Sequence, residues 1–178
     1  MTHVSLSSEQ SSEISALFSS VFTASEGEGE GKLVGGLAEK LSLMIDNKTT
    51  LCYGTFYKNQ LIATIFFTEL KNDNNISVHM LAPVAVSTKF QGQGYGKSLI
   101  SFGLEKLKEK SCEVVVTYGD PNYYSKFGFE RLSESCIQAP LKMSMPEGWL
   151  GQSLTSQTIP KLTSKPKCVE PFNNPIYW

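Results

Sequence analysis

The sequence predicts a mixed α/β (α+β) fold around one central sheet, and three observations carry that. Residues 51–57 and 61–70 are strand-like runs, with Lys58-Asn59-Gln60 turning between them. The apolar run Val84-Ala85-Val86 leads into a glycine-dense turn, and the turn opens an amphipathic helix. The valine run of 113–118 reads as a buried strand, and Asp120-Pro121 after it supplies the N-cap and first residue of a short helix. A hairpin followed by strand, helix, strand and helix packs as helices over a mixed sheet.

The remaining elements follow in order. A short strand is expected at 3–6, and Ser7-x-x-Gln10 reads as a capping box. Ile14, Leu17, Phe18, Val21 and Phe22 then recur on one helical face. Alternating Gly and Glu from Ser25 to Gly31 predicts a solvated acidic loop, whose charge could also attract a cationic amine. A second helix buries Leu33, Leu37, Leu41, Met44 and Ile45; Gly35 and Gly36 in it imply either close packing or mobility. Residues 71–75 form a polar turn before a strand at 76–86. Leu99, Ile100, Gly103, Leu104 and Leu107 form the buried face of the helix after the glycine turn, and Gly128 closes the helix that Asp120 opens. Residues 129–132 and 137–145 read as a closing antiparallel pair. The boundaries are a domain over 1–146 and an irregular extension over 147–178 packed on the same domain by its aromatic residues.

Composition narrows the function. The 178 residues hold 16 Lys and Arg against 17 Asp and Glu, a net charge of −1, so nucleic-acid binding has no electrostatic support. No apolar run is long enough to span a membrane, and the amino-terminal residues do not read as a signal peptide. Cys52, Cys112, Cys136 and Cys168 form no C-x-x-C pair. They read as free thiols of a cytoplasmic protein, with no metal site.

The stretch from Gln91 to Ser98 is the candidate ligand site. A glycine turn at a helix start directs unpaired N–H groups outward along the positive end of the helix dipole, a seat for phosphate or pyrophosphate. Gly96-Lys97-Ser98 ends like a P-loop, but Gln91 stands where that motif needs its first glycine. Gly92-x-Gly94-x-Gly96 has the wrong spacing, and the wrong place in the chain, for a dinucleotide fingerprint.

Gln91-x-x-Gly94-x-Gly96 resembles the pyrophosphate signature of the GNAT superfamily of acyl-CoA N-acyltransferases. The run Gly119-Asp120-Pro121-Asn122-Tyr123-Tyr124-Ser125-Lys126-Phe127-Gly128-Phe129 is similar to the family's fourth helix, in the form of its YhbS-like branch. The likeness is dense over 78–130, looser before it and weak after 146. It implies a mainly antiparallel sheet in which one parallel strand pair splays apart, flanked by helices. It implies acetyl-CoA as co-substrate, with Val84, Ala85 and Val86 pairing with pantetheine, Gln91, Gly92, Gln93, Gly94, Tyr95, Gly96 and Lys97 holding pyrophosphate, and Asn122 touching pantetheine. Pro83, which donates no N–H, suits such an interrupted ladder.

The reaction implied is direct attack of a primary amine, of a small molecule, on the thioester in a ternary complex, without a metal. By resemblance Tyr124 is the acid that protonates the leaving thiolate; packing is its other reading, and Tyr123 is the better packing partner. Met80 occupies the place of the family's strand glutamate. The base is therefore open between His79, Glu69 and a water chain. Asp120 is better explained as an N-cap. Two alternatives stand beside the small-molecule enzyme: an acetyl-CoA-binding module without catalysis, and an acetyltransferase of protein N-termini or lysines. A homodimer is compatible with the chain.

Overall fold

The computed structural model describes residues 2–178. Strands β1 (Thr2–Ser5), β2 (Thr50–Tyr57), β3 (Gln60–Glu69), β4 (Val78–Val86), β5 (Val114–Tyr118), β6 (Glu130–Arg131) and β7 (Trp149–Ser153) form one sheet in the order β1-β2-β3-β4-β5-β7-β6. The helices are α1 (Ser11–Glu26), α2 (Glu28–Leu43), α3 (Tyr95–Glu109) and α4 (Pro121–Tyr124). β4 and β5 run parallel, while β1–β2, β5–β7 and β6–β7 are antiparallel. The mixed sheet with one parallel pair and flanking helices is the fold class read from the sequence.

The chain divides into two units: the residues up to Phe67 with Pro83–Gly103, and Thr68–Ala82 with Leu104–Trp178. In the first, Lys58 and Asn59 adopt φ of 48° and 61°, so β2 and β3 join through a tight two-residue turn suited to strand twist. The Ser7–Gln10 capping box forms with both of its hydrogen bonds. α1 buries Ile14, Phe18 and Val21, and α2 buries Val34, Leu37, Ala38 and Leu41.

The acidic loop predicted between these helices does not exist. α1 runs to Glu26 and α2 starts at Glu28, with only Gly27 between them, at φ 98° and ψ 172°. Glu28 and Glu30 fall in the first turn of α2, where carboxylates complement the helix dipole. The two helices pack along small residues. A Cβ on Gly31 would collide with Thr23, and one on Gly35 would lie 2.9 Å from the Ser19 Cβ. Ser15 Oγ donates to Gly35 C=O at 3.0 Å. Gly35 therefore serves close packing, whereas Gly36 meets nothing within 4 Å. Met44, expected in the buried face, lies beyond the helix end and is 39 % exposed.

In the second unit, residues 137–145 form no strand. β6 pairs instead with β7, whose residues Trp149–Ser153 lie between β5 and β6 in the sheet. The stretch after residue 146, which its prolines mark as irregular, thus supplies an inner strand and is otherwise largely irregular. It is tied down at several points: Lys167 and Lys71 exchange backbone hydrogen bonds of 2.8 and 2.9 Å, and Thr163 and Ser164 bond Asn74 and Asp73. Trp149 Nε1 donates to Ile137 C=O at 2.9 Å and Trp178 Nε1 to Phe172 C=O at 2.8 Å, so both buried indoles are satisfied.

Candidate active site

The glycine turn lies in the first unit. Behind it, β4 gives way to a 3₁₀ turn at Thr88–Phe90. The Phe90 ring stands 5.5 Å from the Tyr57 ring and 5.7 Å from the Tyr95 ring, which anchors both ends of the loop. Gly92 and Gly94 adopt φ of 73° and 85°, and a Cβ on either would meet nothing within 4 Å. Packing does not demand these glycines; the left-handed backbone does. The first hydrogen bond of α3 runs from Ser98 N–H to Gly94 C=O at 2.9 Å. The N–H groups ahead of it have no partner within the helix, an arrangement suited to an anion. Gln91, Gly92, Gln93, Gly94 and Lys97 are exposed, and Tyr95 and Gly96 half-buried.

Two features here had no signal in the sequence. Gln91 Nε2 donates to Val86 C=O at 2.9 Å, so this glutamine fastens the loop back on the end of β4. His3, on β1, bonds Ser98 Oγ at 2.7 Å and Thr55 Oγ1 at 2.9 Å, tying the start of α3 to the sheet. Burial holds the His3 imidazole below its ordinary pKa.

Of the other candidate residues, Val84, Ala85 and Val86 belong to the first unit and Glu69, His79, Asn122 and Tyr124 to the second. The β4–β5 ladder runs from Val78↔Val114 to Leu81↔Thr117 and stops there, although β4 continues to Val86. Burial changes at the same place: Val78 to Leu81 are buried, whereas Ala82, Pro83 and Val84 are half-exposed. Ala85 is buried and Val86 half-exposed. The ladder ends two residues before Pro83, the residue that cannot donate to one.

Asp120 caps α4, accepting from Asn122 N–H at 2.9 Å, with Pro121 at the first helical position and Gly128 at φ 86° closing the following turn. The Asn122 side chain is exposed. Tyr124, and not Tyr123, is the packed tyrosine: Tyr124 is 9 % exposed and Tyr123 36 %. Burial pushes the Tyr124 phenol up to about 12, against the pull of a hydrogen bond with Thr117. It is a phenol that stays protonated throughout the neutral range.

His79 and Glu69 belong to the same unit as Tyr124. His79 pairs in register with Val115, two residues before the ladder ends, and its Nδ1 faces Cys112 Sγ at 3.5 Å in a buried pair. Burial raises the Cys112 thiol to about 11, which makes it a poor nucleophile at neutral pH. Glu69 ends β3 beside Leu70, whose N–H bonds Val78 C=O at 2.8 Å, so it lies near the beginning of β4. Among the described residues no three His, Cys, Asp or Glu side chains are placed to hold a metal ion, and no helix is long and apolar enough to cross a membrane.

Comparison with known proteins agrees with this fold. The acetyltransferase (GNAT) domain family matches residues 48–131. YjhQ of Escherichia coli, an uncharacterized N-acetyltransferase, is 33 % identical over 122 residues, covering 65 % of this chain and 66 % of YjhQ. YhbS of Escherichia coli is 36 % identical over 107 residues, covering 59 % of this chain and 60 % of YhbS. The chain thus spans slightly under two thirds of the length of either relative in these matches. The crystal structure of YhbS in complex with CoA superposes with a TM-score of 0.77 at 27 % identity, covering 97 % of this chain and 92 % of that one. A GNAT acetyltransferase of Brucella melitensis in complex with acetyl-CoA shares the fold at 21 % identity, with a TM-score of 0.67 over 90 % of this chain and 92 % of that one. The chain carries an acetyltransferase domain of the GNAT family.

Proposed function

We propose that the chain is an acetyl-CoA-dependent N-acetyltransferase acting on a primary amine of a small molecule. The observation that carries this is the open turn before α3. Two left-handed glycines and the unpaired N–H groups of a helix start make a backbone cradle for the pyrophosphate of CoA. Val84 and Val86 would offer backbone groups to pantetheine, because β4 continues past the end of its ladder with β5. Asn122, exposed at the start of α4, would reach the same arm. The CoA that YhbS holds in its crystal structure supports this reading.

Catalysis would rest on placement first, because holding an amine against a thioester carbon removes much of the entropic barrier. Tyr124 would then give its phenol proton to the departing thiolate. A phenol is far more basic as phenolate than a thiolate, so the transfer must be assisted at the phenol oxygen. The amine would lose its proton to water. His79 is engaged with Cys112, and Glu69 lies toward the opposite end of β4 from Pro83.

The small acceptor is favoured by the tail. Met145 N–H donates to the Tyr118 hydroxyl at 2.8 Å and Gly119 N–H to Gly148 C=O at 3.0 Å, so residues 144–148 cover the tip of β5. A thiol-release assay with acetyl-CoA against a panel of small amines and peptides tests the proposal. Release with a small amine upholds it, and release only with peptides makes the chain a protein acetyltransferase. Binding without release to any acceptor identifies an acetyl-CoA-binding module and overturns the catalytic reading.

A further inference from the structure

The tail carries a cleft that acetyl transfer does not use. Pro140, Lys165, Pro166, Lys167, Cys168 and Asn173 line about 480 Å³, the size of a small-molecule site. All six belong to the second unit, and none is among the residues proposed to hold CoA. Pro140 and Pro166 are buried, and their rings fix the backbone, so the walls are stiff.

The charge in this cleft has one sign. Lys71 and Lys167 stand opposite each other in an isolated antiparallel bridge. They exchange both backbone hydrogen bonds, at 2.9 and 2.8 Å, so their side chains leave the same face. Like charges directly opposite destabilise such a pair. Lys165 adds a third cation. No ion pair among the described residues involves Lys71, Lys165 or Lys167. Asp73, two residues from Lys71, accepts from Ser164 Oγ at 2.7 Å, and no carboxylate lines the cleft. The strap does not need the lysine charges to stay in place, because Asn74 Oδ1 also accepts from Thr163 N–H and Oγ1 at 3.0 Å. Three ammonium groups thus gather without a counter-charge, in a chain whose net charge is −1.

We propose that this cleft binds a small molecule through a phosphate dianion, with Lys165 and Lys167 as its main cations, Lys71 as a third and Asn173 as a neutral donor. A lysine ammonium is a compact charge with three donors. Several of them suit a phosphate, whose charge is spread over three oxygens. A single carboxylate is better met by the two parallel bonds of a guanidinium, and the cleft has no arginine. Phosphate alone leaves most of the 480 Å³ empty, so an organic remainder packs against Pro140 and Pro166.

Glycerol 3-phosphate, titrated into the isotope-labelled chain at constant ionic strength, is the probe, read by amide NMR. The amides of Lys167, Cys168 and Asn173 are expected to shift together and saturate, with half-saturation at about a millimolar. Lys165→Gln combined with Lys167→Gln is expected to weaken binding about tenfold, because two charge-assisted contacts are lost. Thermal melts establish that this variant is folded. Added salt is expected to weaken binding by wild type as well. Shifts that fail to saturate by about 50 mM, that centre elsewhere in the chain, or that persist equally in the double variant would overturn the site. Tighter binding of citrate than of glycerol 3-phosphate would overturn the phosphate assignment. Inorganic phosphate binding as tightly as glycerol 3-phosphate would overturn the role given to the organic remainder.

Discussion

The turn at Gln91–Lys97 and the corner formed by Leu81, Thr117 and Tyr124 solve opposite problems. The turn is made of backbone: its glycines carry no side chain, face open space and hold φ values that other residues resist. The corner is made of side chains. Thr117 is wholly buried with its hydroxyl donated to Leu81 C=O, and Tyr124 is nearly buried, its ring against Phe129. A polyanion can be bound by N–H groups that any sequence supplies once the backbone is bent correctly. A proton must come from one oxygen in one place, and burial with defined partners provides that. The difference also sorts what a substitution should damage: affinity at the turn, turnover at the corner.

The largest expected effect is at the corner. Tyr124→Phe should lower kcat by about a hundredfold while leaving the Kd of acetyl-CoA within about twofold, read by steady-state kinetics beside calorimetry. A parallel loss of affinity would break the division between the two regions.

At the turn the reverse is expected. Gly94→Val forces a β-branched residue to φ 85°, at a cost of about 2 kcal/mol, and should weaken acetyl-CoA binding roughly thirtyfold with kcat at saturation little changed. Two helix glycines calibrate that result. Gly31→Ala should destabilise the fold by about 2 kcal/mol, because its Cβ would strike Thr23, and Gly36→Ala should stabilise it by roughly 0.5–1 kcal/mol. Denaturant melts of the two variants read the opposite signs directly.

Smaller effects sharpen the comparison. If water takes the amine proton, His79→Gln and Glu69→Gln should each keep kcat within about threefold of wild type; a loss of a hundredfold in either would make that side chain the base. His3 gives the turn a pH dependence near neutrality, where the corner has none. Its folded pKa is depressed, so the unfolded chain binds the proton more tightly. The stability it contributes is present above about 6.5 and is lost as pH falls below that value. Melting of wild type against His3→Gln through that range should show the difference. The Tyr124 phenol acts at the other end of the scale: raised to about 12, it contributes stability that persists up to about pH 10 and is lost as pH rises through 12.

How legible each region was in the sequence follows from the same contrast. The turn could be read because glycine spacing at the junction of a strand and a helix is a local signal. Lys58-Asn59, the Ser7 capping box and the Asp120-Pro121 cap were legible for the same reason. The Gly–Glu stretch misled because glycine has two uses. Gly27 reverses the chain in one residue, and Gly31 and Gly35 admit a neighbouring helix that only the folded chain reveals. β7 escaped because Trp-Leu-Gly-Gln-Ser has no strand alternation; it is a strand because β5 and β6 flank it. Thr117 left one trace, a polar residue inside a buried valine run. Its partner, the Leu81 carbonyl, lies 36 residues before it.

The central claim is that the bent backbone before α3 holds acetyl-CoA. Calorimetric titration of the chain with acetyl-CoA, repeated with Gly94→Val, tests it most directly. Saturable binding at one site, weakened in the variant, is the predicted result. No heat at millimolar acetyl-CoA, or equal binding by both proteins, would contradict it.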